Sequence, residues 1–341
     1  MREITYRKIV AERFGGAEVL RTVRATLPQP PRGHVRVRVL AAGVGFTDLM
    51  ARSGDYLLQR RTPFTPGYEI AGEVVDFAVD GEAPSWLEAG VRVAAALTKM
   101  AGYTEYITLP LWQLVPLPDG LEPRLASAVP LDYLTALSLI DTHARLKAGD
   151  TVLIQGASGG VGQAASQLGR LRGLRMYGTA SAPGSRDVLA RHGVRYIDYR
   201  HEDFEAVLRE REPGGVQAVF DHIGRANLSK GYRILAPGGV LVSFAFSGRP
   251  GHMVGDTLRG ATRLRLMNLR PGRRAAQSVV PWEMKSRRDS YRAALARLLD
   301  LAHRGEITPQ IVATRPLSQA ADVHAALERR EITGKVVLTA D

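Results

Sequence analysis

The most limiting absence in this chain of 341 residues is cysteine, which does not occur. Disulfide bonds, thiolate nucleophiles and cysteine metal ligands are therefore excluded together. The eight histidines are scattered and form no H-x-x-x-H or H-E-x-x-H pair, so we predict no metal site. No apolar run approaches the roughly 20 residues that a membrane-spanning helix needs. The N-terminus mixes charges and lacks the apolar core of a signal peptide, which leads us to expect a cytoplasmic protein.

Acidic residues are few relative to basic ones. There are 34 Asp and Glu residues against 46 Lys and Arg residues, a formal net charge of +12. Between Arg259 and Arg292, ten basic residues stand beside only two acids, Glu283 and Asp289. This stretch is either a solvated basic face or a site for an anionic partner. The candidate partners are an acidic carrier protein or a coenzyme A ester, with nucleic acid the least expected.

A glycine-rich turn is the most informative feature that is present. The apolar run at 151–155 breaks into glycines spaced G-x-x-G-x-x-G, and a helix-compatible segment follows at 163–172. This strand–turn–helix context is typical of a dinucleotide site. Glycines let the backbone approach a pyrophosphate, and the helix N-terminus offers N–H groups and a favourable dipole. We therefore predict that the cofactor is bound by Gly156, Ala157, Ser158, Gly159, Gly160, Val161 and Gly162.

The hydrophobic pattern changes near residue 125. Before it, alternating runs such as 35–40 are separated by Pro and Gly clusters, which predicts a β-barrel-like domain. After it, short apolar strands alternate with helical segments, which predicts a doubly wound parallel sheet of the α/β class. We expect its strands at 152–154, 175–180, 196–198, 218–221 and 239–244. Beyond residue 260, we expect helices at 290–303 and 318–328 and a last strand at 335–338.

Five motifs occur in an order that is found in a known family. They are Pro66-Gly-Tyr-Glu-Ile-Ala-Gly72, the glycine turn, Tyr196-Ile-Asp-Tyr-Arg200, Ala236-Pro-Gly-Gly-Val-Leu-Val-Ser-Phe244 and Thr333-Gly-Lys-Val-Val-Leu338. Together they resemble the medium-chain dehydrogenase/reductase superfamily, and within it the zinc-independent quinone oxidoreductase (ζ-crystallin-like) branch. The segment at 44–56 is also similar to that of the synaptic-vesicle membrane protein relatives.

The resemblance implies a Rossmann sheet inserted into a GroES-like β-barrel catalytic domain. We expect the GroES-like part at 1–125, the NADP-binding Rossmann domain at 126–262 and the return to the catalytic domain at 263–341. Homodimers are common in this branch. Zinc-dependent relatives have Gly-His-Glu where this chain has Gly67-Tyr68-Glu69, which argues against zinc. Quinone reductases often have Asn-Phe where this chain has Gly45-Phe46.

The end of the second expected strand bears on the choice of cofactor. An acid there would bind the adenosine ribose and favour NAD, but the strand ends Gly178-Thr-Ala-Ser181. Ser181 and Arg186 could bind a 2′-phosphate, and the resemblance places Tyr199 beside it. Alternatively, Arg186 faces solvent, and Asp187 opposes the phosphate. We predict NADP(H).

Two residues are candidates for catalysis. The resemblance places Tyr56 as the active-site tyrosine that donates to the substrate oxygen. Asp48 follows a turn-like segment and either orients Tyr56 or a water molecule, or caps a helix.

Five more residues are candidates for contact with the cofactor. The resemblance puts Thr135 near the nicotinamide amide, although it could be a buried helix threonine. His222 follows the fourth strand, near the ligand-binding edge of the sheet, and is either catalytic or structural. Phe244 and Phe246 either line the nicotinamide pocket or belong to the core. Lys335, in the last motif, completes the predicted cofactor site.

Two classes of function remain open. The first is a reductase that uses NADPH to reduce a quinone or an activated alkene, with Tyr56 or water as proton donor. A variant of this class is an enoyl reductase that acts on a carrier-bound or coenzyme A-bound intermediate. The second class is a weakly catalytic protein that binds NADPH and single-stranded RNA, which the positive charge permits.

Overall fold

The structure, a computed structural model, describes residues 3–79, 81, 83–247, 249–332 and 334–340. Thr333, which begins the last motif, lies outside the described residues. The chain divides into two compact units, one formed by Met1–Leu134 with Pro281–Asp341 and the other by Thr135–Val280. The second boundary falls later than the expected one at 262/263, because a helix and a strand that follow residue 252 pack with the parallel sheet.

Strands and helices alternate in different ways in the two units. In chain order the strands are β1 (Ile4–Ala11), β2 (Leu20–Leu27), β3 (His34–Val44), β4 (Glu69–Ala78), β5 (Arg92–Ala96), β6 (Tyr106–Pro110), β7 (Val115–Pro116), β8 (Thr151–Gln155), β9 (Arg175–Ala180), β10 (Val194–Asp198), β11 (Val216–Asp221), β12 (Leu235–Ser243), β13 (Arg274–Gln277), β14 (Ile311–Pro316) and β15 (Lys335–Thr339). The α-helices are α1 (Phe46–Arg52), α2 (Pro123–Ser127), α3 (Pro130–Leu137), α4 (Gly160–Leu171), α5 (Ser185–Ala190), α6 (Phe204–Arg211), α7 (Ala226–Arg233), α8 (Met253–Met267), α9 (Val280–Ser286), α10 (Arg288–His303) and α11 (Ala320–Glu328). In the part of the chain that the structure describes, short 3₁₀ turns lie at Ala17–Val19, Leu111–Gln113 and Leu317–Gln319, and a π-helix follows α3 at Ser138–Ala144.

The second unit contains the predicted parallel sheet. Its six strands lie in the order β10-β9-β8-β11-β12-β13, and every neighbouring pair is parallel. When these six strands are numbered from one to six in chain order, their order across the sheet is 3-2-1-4-5-6, which is that of a Rossmann fold. The order reverses between β8 and β11, so ligands are expected at the carboxyl ends of these two strands. The doubly wound fold is thus confirmed, while β13 and α8 were not predicted.

The first unit is built around a mostly antiparallel sheet. Its strand order is β14-β15-β3-β4-β5-β7, β6 also pairs with β3, and β1 and β2 form a separate hairpin. The long strand β3 pairs with β15, β4 and β6. Its valines at 35, 37 and 39 belong to the hydrophobic core of this unit. Arg36, between them, is also buried and forms an ion pair with Asp76 of β4. The alternating pattern at 35–40 predicts one buried and one exposed face, but Arg36 on the expected exposed face is buried as well.

The helices differ from the sequence prediction mainly at their ends. The sequence also predicts a mostly helical segment at 125–146, and the structure divides this segment into α2, α3 and the π-helix. Among the described residues, no helix is long and apolar enough to cross a membrane.

Candidate functional site

The glycine turn lies between β8 and α4, at the point where the strand order of the parallel sheet reverses. A Cβ atom on Gly162 would lie 2.4 Å from the carbonyl oxygen of Gly156 and 2.6 Å from Cα of Ala157. These neighbours are backbone atoms that cannot rotate away, so only glycine fits. Gly156 has a φ of +64°, a conformation that favours glycine. The turn is therefore compact. Because the first N–H groups of an α-helix have no partner within the helix, the start of α4 suits an anion.

His222 follows β11 and lies directly beside the glycine turn. A Cβ atom on Gly156 would lie only 2.1 Å from Cε1 of His222, so the imidazole occupies the space that a side chain would need. The ring also stacks on Phe244, with centroids 5.7 Å apart and planes inclined by 26°. Burial lowers the pKa of His222 to about 4. His222 is thus neutral near pH 7, and its visible role is to support the glycine turn.

Phe246 has a different environment from Phe244. It is 2% exposed and belongs to the hydrophobic core of the second unit. Its ring packs on Gly224 and Gly260, which are close enough that a Cβ atom on either would collide with it. Of the two interpretations given above, the structure places Phe246 in the core. Thr135, in α3, is likewise buried.

The predicted 2′-phosphate residues lie near the ends of β9 and β10. The hydroxyl of Ser181 donates a 2.5 Å hydrogen bond to the phenol oxygen of Tyr199, and Tyr199 is exposed. Arg186 is exposed, and its guanidinium carbon lies 4.9 Å from the centroid of the Tyr196 ring. The structure therefore brings Ser181 and Tyr199 together, whereas Arg186 packs on the ring of Tyr196.

Asp48 lies at the centre of a buried polar cluster in the first unit and is fully buried. Its carboxylate accepts hydrogen bonds from the backbone N–H of Gly45 (2.8 Å), the backbone N–H of Gly67 (3.0 Å) and the hydroxyl of Tyr103 (3.1 Å). Burial raises the pKa of Asp48 to about 6, although these hydrogen bonds oppose the shift. Gly45, not Asp48, is the N-cap of α1. Asp48 reaches back from the first turn to Gly45 and so joins the start of α1 to the turn before Tyr68.

Tyr103 and His324 extend this cluster. The hydroxyl of Tyr103 is 3.1 Å from Nε2 of His324. Because the single hydroxyl proton of Tyr103 is donated to Asp48, we assign Nε2 of His324 as the donor in this second bond. Burial and the charge of Arg52 lower the pKa of His324 to about 3, so the ring is neutral. No sequence motif marked either residue, since 55 and 221 residues separate the bonded pairs.

Tyr56 and Tyr68 pack edge to face in the same unit. Their ring centroids are 6.2 Å apart and their planes are inclined by 81°. Tyr68 is buried, whereas Tyr56 is half-buried. Burial, with the negative charge of Asp48, raises the pKa of Tyr56 to about 12. Tyr56 is therefore a neutral phenol near pH 7 and has a proton to donate.

Lys335 lies in a buried group of charges in the first unit. Its ammonium group is 2.9 Å from the carboxylate of Asp132 and also forms an ion pair with Glu69. Glu69 in turn accepts a 2.7 Å hydrogen bond from the backbone N–H of Leu131, near the start of α3. The pKa of Lys335 is raised by the two carboxylates although burial alone would lower it. Its predicted contact with the cofactor stays a prediction, but its visible partners are these two acids.

The predicted residues thus form separate groups. The structure gathers Gly156–Gly162, His222 and Phe244 at the carboxyl edge of the parallel sheet, with Ser181 and Tyr199 further along. In the other unit, it groups Asp48, Tyr56 and Tyr68. Among the described residues, no group of three or more His, Cys, Asp or Glu side chains is arranged to hold a metal ion.

Comparisons with known proteins agree with this architecture. The model of the family "Alcohol dehydrogenase GroES-like domain" matches residues 31–119, and that of the family "Zinc-binding dehydrogenase" matches residues 192–338. The human synaptic vesicle membrane protein VAT-1 homolog is 32% identical over 97% of this chain and 86% of its own length. The quinone oxidoreductase of Lama guanicoe is 29% identical over 97% of each chain. The structure of Escherichia coli quinone oxidoreductase complexed with NADPH matches 98% of this chain and 99% of its own, with a TM-score of 0.85 and 26% identity.

The chain therefore belongs to the medium-chain dehydrogenase/reductase superfamily, as its GroES-like and Rossmann parts require. Within it, the chain falls in the zinc-independent quinone oxidoreductase branch. One of the two matched families is named for zinc. This chain has no cysteine, and Tyr68 stands where the family resemblance described above implies a histidine in zinc-dependent relatives.

Proposed function

We propose that this oxidoreductase uses NADPH to transfer hydride to a quinone or to an α,β-unsaturated carbonyl compound. The nicotinamide of bound NADPH would supply the hydride itself. The glycine turn between β8 and α4 is the observation that carries the proposal. A Cβ atom on Gly162 would collide with the backbone of Gly156 and Ala157, so only glycine allows this tight turn from the strand into the N-terminus of α4, which suits a pyrophosphate. The E. coli relative with NADPH bound supports the same cofactor here.

The preference for NADPH rests on the residues around the end of β9. β9 itself ends without a carboxylate that could bind a ribose 2′-hydroxyl, as an NAD-specific site requires, although Asp198 of the neighbouring β10 pairs with Ala180. Because the hydroxyl of Ser181 donates its proton to Tyr199, the hydroxyl of Tyr199 would be the donor to a 2′-phosphate. Arg186 is exposed and would contribute positive charge near them.

The first unit would supply the group that stabilises the substrate oxygen. Hydride addition places negative charge on that oxygen, so a hydrogen-bond donor is needed. Tyr56 fits this role because its half-buried phenol is protonated at neutral pH and the resemblance to the family places a tyrosine here in the active site. Asp48 has its carboxylate occupied by two backbone N–H groups and Tyr103. We therefore assign Asp48 to positioning rather than to proton transfer.

A steady-state assay of reduced-nicotinamide oxidation tests the proposal. The substrates are 1,4-benzoquinone, 9,10-phenanthrenequinone, 2-cyclohexenone and crotonyl-coenzyme A, each with NADPH and NADH. We expect turnover of a quinone or the enone with NADPH preferred. Tyr56→Phe should then lower kcat for the enone by roughly 100-fold while NADPH binding is retained. Absence of turnover on all four substrates would contradict the proposed reaction.

Crotonyl-coenzyme A distinguishes the second candidate, an enoyl reductase of a biosynthetic pathway. Preferential turnover of this thioester would favour the enoyl reductase. The exposed arginines of α8 are the observation that supports this second candidate. An acidic carrier protein as partner is a further proposal that depends on the basic stretch at 259–292. A homodimer is proposed from the family resemblance, and a cytoplasmic location from the charged N-terminus.

A further inference from the structure

Tyr56 and Tyr68 differ in their access to a ligand although their rings are in contact. Tyr68 is 4% exposed and belongs to the hydrophobic core of the first unit, whereas Tyr56 is half-buried and packs against that core. The two rings meet edge to face, with centroids 6.2 Å apart. A ligand can therefore contact Tyr56, whereas Tyr68 can act only through a neighbouring residue.

The phenol groups of these two residues also share a hydrogen bond. Each phenol has a single proton, so one hydroxyl donates and the other accepts. Tyr68 is the donor, because the bond lowers the pKa of Tyr56 and raises the pKa of Tyr68. The proton of Tyr56 therefore remains available to a substrate.

The surroundings of Tyr56 act on its acidity in opposite directions. Burial and the negative charge of Asp48 raise the pKa of Tyr56, whereas the hydrogen bond from Tyr68 lowers it. After Tyr56 has given up its proton, its oxygen is a phenolate, which accepts a hydrogen bond more strongly than a neutral phenol does. The bond from Tyr68 therefore becomes stronger as proton transfer proceeds, which is the condition for assisting catalysis.

The backbone on both sides of Tyr68 is held in place. The carboxylate of Asp48 accepts a 3.0 Å hydrogen bond from the N–H of Gly67, and the carbonyl of Tyr68 accepts one of 2.7 Å from the N–H of Leu97. Gly67 has a φ of +100°, and a Cβ atom on it would lie 2.7 Å from the ring of Tyr103. The donor is thus fixed before any ligand binds, so no reorganisation is needed during the reaction.

Given the reductase function proposed above, on which this rests, we propose that Tyr68 is a positioning residue that makes Tyr56 a stronger proton donor. We further assign the site to α,β-unsaturated carbonyl compounds in preference to quinones. When hydride adds to the β-carbon of an enone, the electrons of the carbon–carbon double bond move to the carbonyl oxygen. The resulting enolate takes the proton of Tyr56. Solvent then returns a proton to Tyr56, so one proton is consumed for each hydride.

Quinones need this assistance less than enones do. Reduction of a quinone creates an aromatic ring, over which the new negative charge is delocalised. The charge of an enolate is spread over only the oxygen and one carbon, so it gains more from a strong hydrogen-bond donor. A buried second phenol behind the first is therefore useful mainly for an enone.

Tyr68→Phe removes the hydroxyl and keeps the ring that packs in the core. We expect kcat for 2-cyclohexenone to fall roughly tenfold, with KM for NADPH unchanged. Turnover of 9,10-phenanthrenequinone should change by less than about twofold. In the Tyr56→Phe background, Tyr68→Phe should cause no further loss, because Tyr68 acts through Tyr56. Equal losses for both substrates, or an undiminished loss in that background, would overturn the proposal.

Tyr6 and Tyr106 provide a matched control in the same unit. Their rings also meet edge to face, with centroids 6.3 Å apart and planes inclined by 70°. Tyr106→Phe removes a hydroxyl from this second pair and should leave both turnover rates unchanged. A loss equal to that of Tyr68→Phe would show that removing any such hydroxyl weakens the enzyme, which would contradict a specific role for Tyr68.

A readout without turnover comes from replacing Tyr56 by 3-fluorotyrosine. Fluorine makes the phenol more acidic, and fluorine NMR follows its ionisation as the pH is raised. Adding Tyr68→Phe should move this ionisation to a pH about one unit higher, a tenfold change in the equilibrium constant. Ionisation at the same pH with and without the Tyr68 hydroxyl would overturn the proposal even in an active reductase. A shifted ionisation without turnover of any substrate would support the hydrogen bond and contradict the proposed reaction, so the two failures are distinguishable.

Discussion

The two candidate sites of this protein are made in different ways. The glycine turn of the second unit uses the backbone of seven consecutive residues. The Asp48 cluster of the first unit uses buried side chains that meet from α1, the turn at Gly67, the segment before β6, and α11. In the first case a side chain must be absent, whereas in the second each polar side chain must have its partner. The comparison shows that sensitivity to size belongs to one site and sensitivity to hydrogen bonding and pH to the other.

The largest effect is expected in the glycine turn, where the size of a side chain determines whether the turn can form. Gly162→Ala places a Cβ atom 2.4 Å from a backbone oxygen that cannot move independently. We expect NADPH affinity to fall roughly 100-fold, or about 3 kcal/mol, as measured by fluorescence titration. Gly214→Ala is the matched control, because Gly214 has open space around it and no positive φ. Equal NADPH affinity in both variants would show that the turn does not hold the cofactor.

Asp48→Asn tests the site where burial and hydrogen bonds decide. The pKa of Asp48 is raised from 3.8 to about 6 by burial, so the folded protein holds this proton more tightly than the unfolded chain. The resulting stabilisation is fully present below pH 3.8 and is lost as the pH rises through 6.

The unfolding free energy of the wild type, relative to that of Asp48→Asn, should therefore decrease by about 3 kcal/mol over this interval. Denaturant titrations at several pH values measure it. Tyr103→Phe removes one hydrogen bond to the carboxylate, keeps the titrating group, and should cost about 1 kcal/mol. A difference between wild type and Asp48→Asn that does not change with pH would refute this account of the cluster.

Ser181→Asp tests the choice between NADPH and NADH at the end of β9. A carboxylate at the end of β9 would repel a 2′-phosphate and accept from a ribose hydroxyl. We expect the ratio of kcat/KM for NADPH to that for NADH to fall roughly tenfold. Ser286→Asp adds the same charge at an exposed position in the other unit and should leave the ratio unchanged. If both variants behave alike, Ser181 does not select the cofactor.

The smallest effect is expected at Gly45, where both the size of a side chain and its hydrogen bonding can be tested. Its Cβ atom would lie 2.9 Å from Cδ2 of Leu131, the end of a flexible side chain, and its φ of −113° suits any residue. Gly45→Asn should therefore fold, with a stability change within about 0.5 kcal/mol. We expect kcat to rise a few-fold because an amide is added, whereas Gly45→Ala should show no gain. Identical kcat values for both variants would remove any role for the amide.

The sequence predicted the glycine turn of the second unit better than the Asp48 cluster of the first unit, and the reason is physical. Local periodicity and glycine spacing define β8, the turn and α4, and they predicted five of the six parallel strands. β13 was missed because it is four residues long and is surrounded by arginines and proline. Nothing in the sequence links Asp48 to Tyr103 and His324, since their contacts depend on how distant segments pack. The core position of Phe246 depends in the same way on Gly260 of a helix that was not predicted.

Equilibrium binding of NADPH and NADH to the wild-type protein, measured by calorimetry, tests the central claim most directly, because it requires no knowledge of the substrate. We predict one NADPH bound per chain, with an affinity at least roughly tenfold higher than that for NADH. Equal or tighter binding of NADH would contradict the assignment of the β9 edge. No binding of either dinucleotide would contradict the assignment of the glycine turn itself.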